Sequence, residues 1–287
     1  MSKNRKITYT GLGLILLGLI VGIVGFALLG FNPKKLGNVK VTNKEFTSSE
    51  SFDSISIKSE VSDVKIKRSE DNTFKVEYDE VSRMKTTVAI EDGVLKITEK
   101  DTRRWYDYII RFNIGYFNAQ SKIVVYLPDE QYKKITVSAD TASVKLYSVP
   151  VDGDIVLKTD TGSIDVFNLS CDNLSVSTDT GSVELETIRC NGNVKLGTDT
   201  GSIKIKDTIA VGDLKATTDT GSVTLKDMDA ANITVKTDTG SIKGTILTEK
   251  IIFAKTDTGS VKVPESVTGG KCNLTTDTGS IKISYSK

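Results

Sequence analysis

Seven aspartates recur in one short motif, and they are the residues of this chain best suited to do chemistry. Each lies in a copy of Thr-Asp-Thr-Gly-Ser, and the seven are Asp160, Asp179, Asp199, Asp219, Asp238, Asp257 and Asp277. Carboxylates held close together can share a proton and act as acid and base, or they can ligate a hard cation such as Ca²⁺. Which chemistry is open to them depends on how the chain places the seven side chains.

The spacing of the motif argues against acid catalysis. Asp-Thr-Gly is the signature of aspartic peptidases, which bring two such carboxylates together in one cleft. Here successive copies are 19 or 20 residues apart, so seven copies are expected to form a stripe along one edge of a repeated structure. The chain also contains no histidine, which excludes Ser-His-Asp and Cys-His catalysis. We therefore predict no catalytic residues and no enzyme activity.

The residues around each aspartate repeat with the same period. Apolar residues stand five and three positions before it and four and six positions after it, as Ile155, Leu157, Ile164 and Val166 do around Asp160. Polar residues alternate with them, so each repeat contains two short strands with one buried face. This pattern predicts an all-β fold, a β-solenoid of two-strand coils of about 20 residues stacked in parallel. A chain of antiparallel hairpins is the alternative.

The alternation of apolar and polar residues shifts by one position across Asp-Thr-Gly-Ser. This shift predicts that the segment forms the corner of each coil. Aspartates stacked about 4.8 Å apart repel one another, so something must compensate for the repulsion. Threonine hydroxyls, turn N–H groups and Lys158, Lys236 and Lys255, each two positions before an aspartate, can do so. The favoured interpretation is structural capping of the turn without a cofactor, and the alternative is a stripe that binds Ca²⁺.

Regular repeats fill residues 135–287, and their first copy has Ala142 in place of glycine. Residues 45–134 are predicted to form an irregular N-terminal cap and the first coils. They include a degenerate copy at residues 55–66 and a hairpin that turns at Asp92-Gly93.

The N-terminal region predicts a membrane segment. Residues 11–31 contain no polar side chain, and a helix of that length spans about 31 Å. Residues 1–10 form a short basic tail, and residues 32–44 a linker. We favour an uncleaved single-pass signal-anchor in the lipid bilayer over a cleaved signal peptide. Basic residues are slightly more numerous before the segment than after it, which favours a repeat domain outside the cytoplasm; a domain facing the cytoplasm is the alternative.

Three features of the chain are candidates for partner contacts. Gly18 and Gly22 form a GxxxG face that can bring membrane helices together. Only four residues follow Ile283, so we expect an uncapped C-terminal strand edge able to pair with another copy. An aromatic segment breaks the repeat and is either a cap over the solenoid or a contact for an envelope protein or glycan; its residues are Trp105, Tyr106, Tyr108, Arg111 and Phe112.

The cysteines and the net charge bear on disulfide formation and on the kind of partner. Cys171 and Cys190 each follow the aspartate of their own repeat by 11 residues, so they are expected at equivalent places on adjacent coils. Side chains of in-register parallel neighbours point the same way, which favours packed free thiols over a disulfide, and both remain open. Cys272 lies in an apolar column and is expected to be buried. The net charge of +1 argues against a nucleic-acid partner.

The layout resembles the bacterial "putative adhesin" or toast-rack family of β-strand-repeat domains. The repeated Asp-x-Gly-Ser units and the Val-Tyr-Leu-Pro stretch at residues 125–128 carry the resemblance, which covers about residues 45–287. It implies a solenoid-like domain in the cell envelope, in LiaG-like proteins one linked to envelope stress, without catalytic residues. We therefore predict a non-enzymatic, membrane-anchored, adhesin-like or stress-associated binding or scaffold module. A polysaccharide-active β-helix enzyme and a cytoplasm-facing regulatory module are the alternatives.

Overall fold

The computed structural model of this 287-residue chain describes residues 3–28, 41–81, 84–102 and 121–286. The chain divides into two compact units. One comprises Met1–Val41 and Thr102–Gln120, and the other comprises Thr42–Asp101 and Ser121–Lys287.

The first unit contains helix α1 (Lys3–Leu28). Where its side chains are described, at residues 13–24 and 27, they are exposed. Among the described residues, an added Cβ at Gly18 or Gly22 of the predicted GxxxG face would meet no atom within 4 Å. Judged on the described residues, no helix is both long and apolar enough to cross a membrane.

The remaining elements are strands, formed because apolar and polar residues alternate along them. In chain order they are β1 (Val41–Phe46), β2 (Ser54–Ser59), β3 (Asp63–Arg68), β4 (Lys75–Val81), β5 (Met84–Glu91), β6 (Val94–Asp101), β7 (Lys122–Leu127), β8 (Tyr132–Thr141), β9 (Val144–Tyr147), β10 (Val151–Thr161), β11 (Ile164–Cys171), β12 (Leu174–Thr180), β13 (Val183–Cys190), β14 (Val194–Thr200), β15 (Ile203–Ala210), β16 (Leu214–Thr220), β17 (Val223–Met228), β18 (Ile233–Thr239), β19 (Ile242–Ile246), β20 (Lys250–Thr258), β21 (Val261–Lys262), β22 (Gly270–Thr278) and β23 (Ile281–Tyr285).

The strands form two sheets. Sheet A has 12 strands in the order β1-β4-β7-β3-β9-β11-β13-β15-β17-β19-β23-β21, and sheet B has 11 in the order β20-β22-β18-β16-β14-β12-β10-β8-β2-β6-β5. Each regular repeat gives its first strand to sheet B and its second to sheet A, and equivalent strands pair in parallel, as β12 does with β14 and β11 with β13. The predicted all-β solenoid with one coil per repeat is confirmed, and the chain of hairpins is excluded.

The core lies between the two sheets and consists of the predicted apolar columns. Ile155 pairs in register with Leu174, and Ile164 with Val183. All four side chains are buried. Because every coil presents the same columns to its neighbours, one continuous core extends through the stack.

Antiparallel strands lie at the end of the stack formed by the irregular coils. β4 pairs with β7, and β5 pairs with β6. Asp92 and Gly93 join β5 to β6 with φ angles of 53° and 74°, which is the backbone of the predicted tight hairpin. These strands and β1 are the outermost elements of the two sheets at this end.

Coils at both ends stack out of sequence order. The first coil, β2–β3, lies between the coil of β6 and β7 and the coil of β8 and β9; the last, β22–β23, lies between β18–β19 and β20–β21. The prediction of an open C-terminal strand was therefore wrong, because β20 and β21 form the open edge. A Cβ on Gly270 would lie 1.8 Å from the carbonyl oxygen of Ala231, so the absence of a side chain lets β22 approach β18.

Candidate functional site

The first threonine of each motif links two coils. Thr178 is 2% exposed, and its hydroxyl donates a hydrogen bond of 2.9 Å to the carbonyl oxygen of Gly162. A buried hydroxyl without a partner would be costly, so this bond both satisfies the threonine and connects its coil to the neighbour. All seven copies make the equivalent bond, at 2.8 to 2.9 Å, and the donors are Thr159, Thr178, Thr198, Thr218, Thr237, Thr256 and Thr276.

The motif glycine lies where adjacent coils come closest. Gly181 has a φ of 152°, and an added Cβ would lie 2.0 Å from the carbonyl oxygen of Gly162. Its own N–H donates to the carbonyl oxygen of Thr200 in the next coil at 2.9 Å. Each glycine is therefore required by close backbone contact between coils, and the motif works as a clasp that holds adjacent coils together.

The motif aspartates form one stripe along the corner, as predicted. They are exposed, apart from the half-buried Asp238. Three are compensated by the lysines that the sequence indicated: Lys158–Asp160 at 3.8 Å, Lys236–Asp238 at 2.9 Å and Lys255–Asp257 at 3.2 Å. Such exposed ion pairs contribute little to stability, because water screens the attraction.

The stripe lacks the grouping of ligands that a metal ion needs. In the described part of the chain, no cluster of three or more histidine, cysteine, aspartate or glutamate side chains could hold a metal. Each coil supplies one motif carboxylate, whereas Ca²⁺ takes six to eight oxygen ligands. The arrangement therefore gives the Ca²⁺ alternative no support.

The aromatic residues that the sequence singled out lie outside the described residues. Trp105, Tyr106, Tyr108, Arg111 and Phe112 belong to the connection between β6 and β7. Their role as a cap or a partner contact stays a prediction.

A second ladder of polar contacts lies at the corner that precedes the sheet B strands. The side-chain amide of Asn173 donates to Asp154 at 2.9 Å, and its oxygen accepts from the backbone N–H of Asn193 at 2.8 Å. Asn193 in turn accepts from the backbone N–H of Asp213 at 2.8 Å. The recurring Asp or Asn six positions before the motif aspartate is the sequence signal for this ladder, which is structural.

A buried carboxylate in the first coils was not found from the sequence. Glu99 of β6 is 2% exposed, and one of its oxygens accepts from the backbone N–H groups of Glu60, Val61 and Ser62 at 2.9, 3.0 and 3.0 Å. The hydroxyls of Ser59 and Ser62 also donate to Glu99. This carboxylate fills the turn between β2 and β3, where the motif glycine is missing. Its position is explained by turn closure and gives no sign of catalysis.

Two surface depressions share Arg68. One, of 410 Å³, is lined by residues that include Gln131, Asn168 and Arg189, and the other, of 610 Å³, includes Glu70 and Asp129. Arg68 pairs with Asp129, and Arg189 pairs with Asp207 at 2.8 Å. With both arginines neutralised by carboxylates, these depressions lack the convergent free groups of a specific polar site.

The three cysteines are buried free thiols. Cys171 and Cys190 are partners in register, with their Sγ atoms 2.8 Å apart. The hydrogen bond with Cys190 and burial both raise the pKa of Cys171. Burial raises the pKa of Cys272 to about 12, so this thiol behaves as the small apolar residue that its column requires.

The open end formed by β20 and β21 exposes apolar side chains. Phe253 on β20 is 56% exposed, and Val261 on β21 is 44% exposed. Ile252 and Ala254 occupy core columns but are only half-buried. We call β20, β21 and these side chains the open end. An unpaired strand edge beside exposed core residues is a surface to which another strand can add.

Comparisons with known proteins agree with this architecture. A family model described as Toastrack DUF4097 matches residues 52–209 and 191–287. The search of curated proteins gave no match.

The comparison with solved structures found matches of low sequence identity, of which the first described here shares the fold. One described as a "putative adhesin" from Bacteroides fragilis NCTC 9343 is 18% identical, with a TM-score of 0.54 and coverage of 85% of this chain and 97% of the other. A "putative lipid binding protein" from Parabacteroides distasonis ATCC 8503 is 13% identical, with a TM-score of 0.44 and coverage of 88% and 98%. A "putative cell adhesion protein" from Clostridium sporogenes ATCC 15579 is 14% identical, with a TM-score of 0.33 and coverage of 87% and 100%.

Proposed function

The chain belongs to the Toastrack DUF4097 family, and from this premise we propose that it is a non-enzymatic binding or scaffold module of the cell envelope, adhesin-like or associated with envelope stress. The name given to the Bacteroides fragilis structure supports an adhesin-like role. The structural part played by the motif threonines and glycines supports a role without catalysis.

The observation that carries this proposal is the open end. Core columns that are buried elsewhere in the stack are partly exposed at Ile252, Ala254 and Val261. Exposed apolar surface beside unpaired backbone N–H and C=O groups favours the addition of a β-strand. Binding through this end would extend the sheets and complete the burial of the coil of β20 and β21.

The proposed occupant is the open end of a second copy of this chain. In sheet B the opposite end of the stack finishes in β5, which runs antiparallel to its neighbour β6, so a head-to-tail array could not continue the parallel pairing of the coils in that sheet. Two open ends related by a twofold axis would cover each other. Such an isologous contact closes at two copies and does not lead to fibres.

Antiparallel pairing of β20 with its copy, centred on Phe253, fits the side chains of this strand. Phe253 then faces its own copy on the outer surface, where aromatic cross-strand pairs are favourable. Ile252 faces Ala254 in the core, a large residue against a small one. Lys255 faces Ile251 rather than another charge, so this register avoids like-charge repulsion across the centre of the strand.

We also propose that residues 11–31 anchor the module in the membrane with the β-strand unit outside the cytoplasm. The run without polar side chains and the exposed aliphatic side chains of α1 from Leu14 to Val24 support the anchor, and the slight excess of basic residues before the run supports the outside location. Membrane extraction with and without residues 1–31 tests the anchor. Val211 is 69% exposed, so a cysteine placed there is open to reagents. Labelling of Val211→Cys on intact cells with a thiol reagent that does not cross the membrane tests on which side of the membrane the β-strand unit lies. Absence of labelling would favour the cytoplasm-facing alternative.

Sedimentation of the full chain in detergent tests the binding role. We expect a dimer that Phe253→Lys converts to a monomer, while Val156→Lys stays dimeric. Val156 is the matched control because it lies on the same outer row of sheet B, four residues before its motif aspartate, and is 37% exposed. If the wild type is a monomer that captures an envelope protein or glycan through the same surface, that molecule and not a second copy is the partner. A monomer insensitive to both changes and without a partner would refute the proposal.

The aromatic segment is a second proposed contact. Replacing Trp105 and Tyr106 together with alanine separates its two roles. Loss of partner binding at an unchanged melting temperature supports a contact, whereas a lowered melting temperature supports a cap.

A further inference from the structure

Cys171 and Cys190 occupy the same place on adjacent coils. They pair in register at the ends of β11 and β13, and they are 2% and 3% exposed. Their Sγ atoms lie 2.8 Å apart, well inside the sum of the van der Waals radii of two sulfur atoms. The two side chains therefore converge, although parallel register alone would direct them alongside each other.

The place of the pair in its coil accounts for this convergence. Both cysteines end their strands, and the next residues, Asp172 and Asn191, begin the corner that leads to sheet B. Strands paired in parallel lie about 4.8 Å apart, within the Cα separation of about 4.4–6.8 Å that disulfides span. The register therefore places the two Cα atoms within the range that a disulfide spans.

Packing by itself does not require sulfur in this column. Cys190 pairs on its other side with Ala210, which is 3% exposed, and Ala230 is buried to the same degree. Alanine thus satisfies the same environment one coil further on. Two cysteines in succession supply two sulfur atoms in contact, which alanine cannot supply.

We propose that Cys171 and Cys190 form a disulfide that staples their two coils together when the chain folds in an oxidising compartment. The oxidant is a disulfide-carrying compound or protein. One cysteine thiolate attacks the S–S bond of this oxidant, forms a mixed disulfide with it and releases one thiol of the oxidant. The second cysteine thiolate then attacks the mixed disulfide, forms the Cys171–Cys190 bond and releases the second thiol of the oxidant. The chain loses two protons and two electrons, and the donor disulfide is reduced to two thiols. The inference does not depend on what the open end binds.

Burial determines when this exchange takes place. The folded chain covers both sulfur atoms, and a buried thiol is a poor nucleophile because the thiolate is disfavoured. Exchange therefore proceeds on the unfolded chain or while the coil is open, and the finished bond is then shielded from reductants.

Refolding of the full chain from denaturant tests the proposal. In a buffer of oxidised and reduced glutathione we expect a mass lower by two hydrogen atoms, with Cys272 alone open to alkylation after unfolding. Peptide mapping should place the bond between Cys171 and Cys190. Reductant added during unfolding should lower the melting temperature by roughly 5 °C or more, because the staple restricts the unfolded chain.

Alanine variants provide the controls, since alanine already occupies the next position of the column. Cys171→Ala and Cys190→Ala should each lose the bond and the sensitivity to reductant, whereas Cys272→Ala should keep both. Three alkylatable thiols after oxidative refolding, a bond to Cys272 or bonds between chains would overturn the proposal. So would a sensitivity to reductant that persists in Cys171→Ala.

Discussion

The hydroxyl of Thr198 donates a 2.9 Å hydrogen bond to the carbonyl oxygen of Gly181 in the adjacent coil. Gly181 in turn donates its N–H to the carbonyl oxygen of Thr200. Two residues of one motif thus hold one residue of the preceding copy. The motif whose aspartates suggested paired carboxylates is therefore a repeated clasp between coils, and its aspartate points to solvent.

Thr198→Val should destabilise the fold by about 1–3 kcal/mol, because valine keeps the volume but leaves the Gly181 carbonyl without its hydroxyl donor. Thr200→Val, at the exposed threonine of the same motif, should change stability by less than about 0.5 kcal/mol. Denaturant unfolding of both variants measures the difference. Equal effects at the two positions would show that the clasp does not contribute to stability.

Gly201→Ala should destabilise far more than Gly197→Ala. A Cβ at Gly201 would lie 1.9 Å from the carbonyl oxygen of Gly181, whereas one at Gly197 would come no nearer than 3.7 Å to Thr217. The first change forces the coils apart, and we expect a loss of about 3 kcal/mol or more, in the range of other strained backbone substitutions. The second should be neutral or stabilise by up to about 1 kcal/mol. Thermal unfolding checks the pair, and a mild effect at Gly201 would contradict the close approach.

The fold could be predicted from the sequence because the repeat encodes it in every coil. Apolar columns gave the two strands and the core, and the change of parity gave the corner. The stacking order of the last coils could not be predicted. The motifs that begin at Thr237, Thr256 and Thr276 are nearly identical, so the sequence pattern does not distinguish which of these coils are neighbours. The order depends instead on local fits such as that of Gly270 against Ala231.

The polar contacts at the corners were only partly predictable. Lysines two positions before aspartates were visible as compensating charges because the two residues are close in sequence. Glu99 was not, because it lies about 40 residues from the turn of Glu60 to Ser62 that it closes. Only the stacking of β6 on β2 brings that carboxylate to the N–H groups.

Stability should fall between about pH 4 and pH 2 in part through Asp71. Hydrogen bonds from the Ser69 hydroxyl and then from Thr73 lower the pKa of Asp71 from its usual 3.8 to about 2. A carboxylate with a lowered folded-state pKa contributes stability above its unfolded pKa and loses it as the pH falls through the folded value. Acid unfolding of wild type, Asp71→Asn and Ser69→Ala measures this. Asp71→Asn should remove this part of the loss of stability, and Ser69→Ala should move it to higher pH. If the dependence of stability on pH is unchanged in both variants, Asp71 does not contribute.

Calcium should leave the stripe of motif aspartates unaffected. An ion present at 100 times its dissociation constant would add about 2.7 kcal/mol to stability, enough to raise the melting temperature by several degrees. We expect no shift between millimolar Ca²⁺ and EDTA in wild type or in Asp199→Asn. A rise that Ca²⁺ produces in wild type and Asp199→Asn abolishes would revive the ion-binding alternative.

Cysteine cross-linking at Phe253 in native membranes tests the proposed pairing of open ends most directly. In a full chain with its three native cysteines replaced by alanine, mild oxidation of Phe253→Cys should give a covalent dimer, because the twofold register brings the two copies of residue 253 together. Val156→Cys, on the same outer row in the middle of the stack, should remain monomeric. A Phe253→Cys chain that stays monomeric, or that cross-links no better than Val156→Cys, would contradict pairing through the open end.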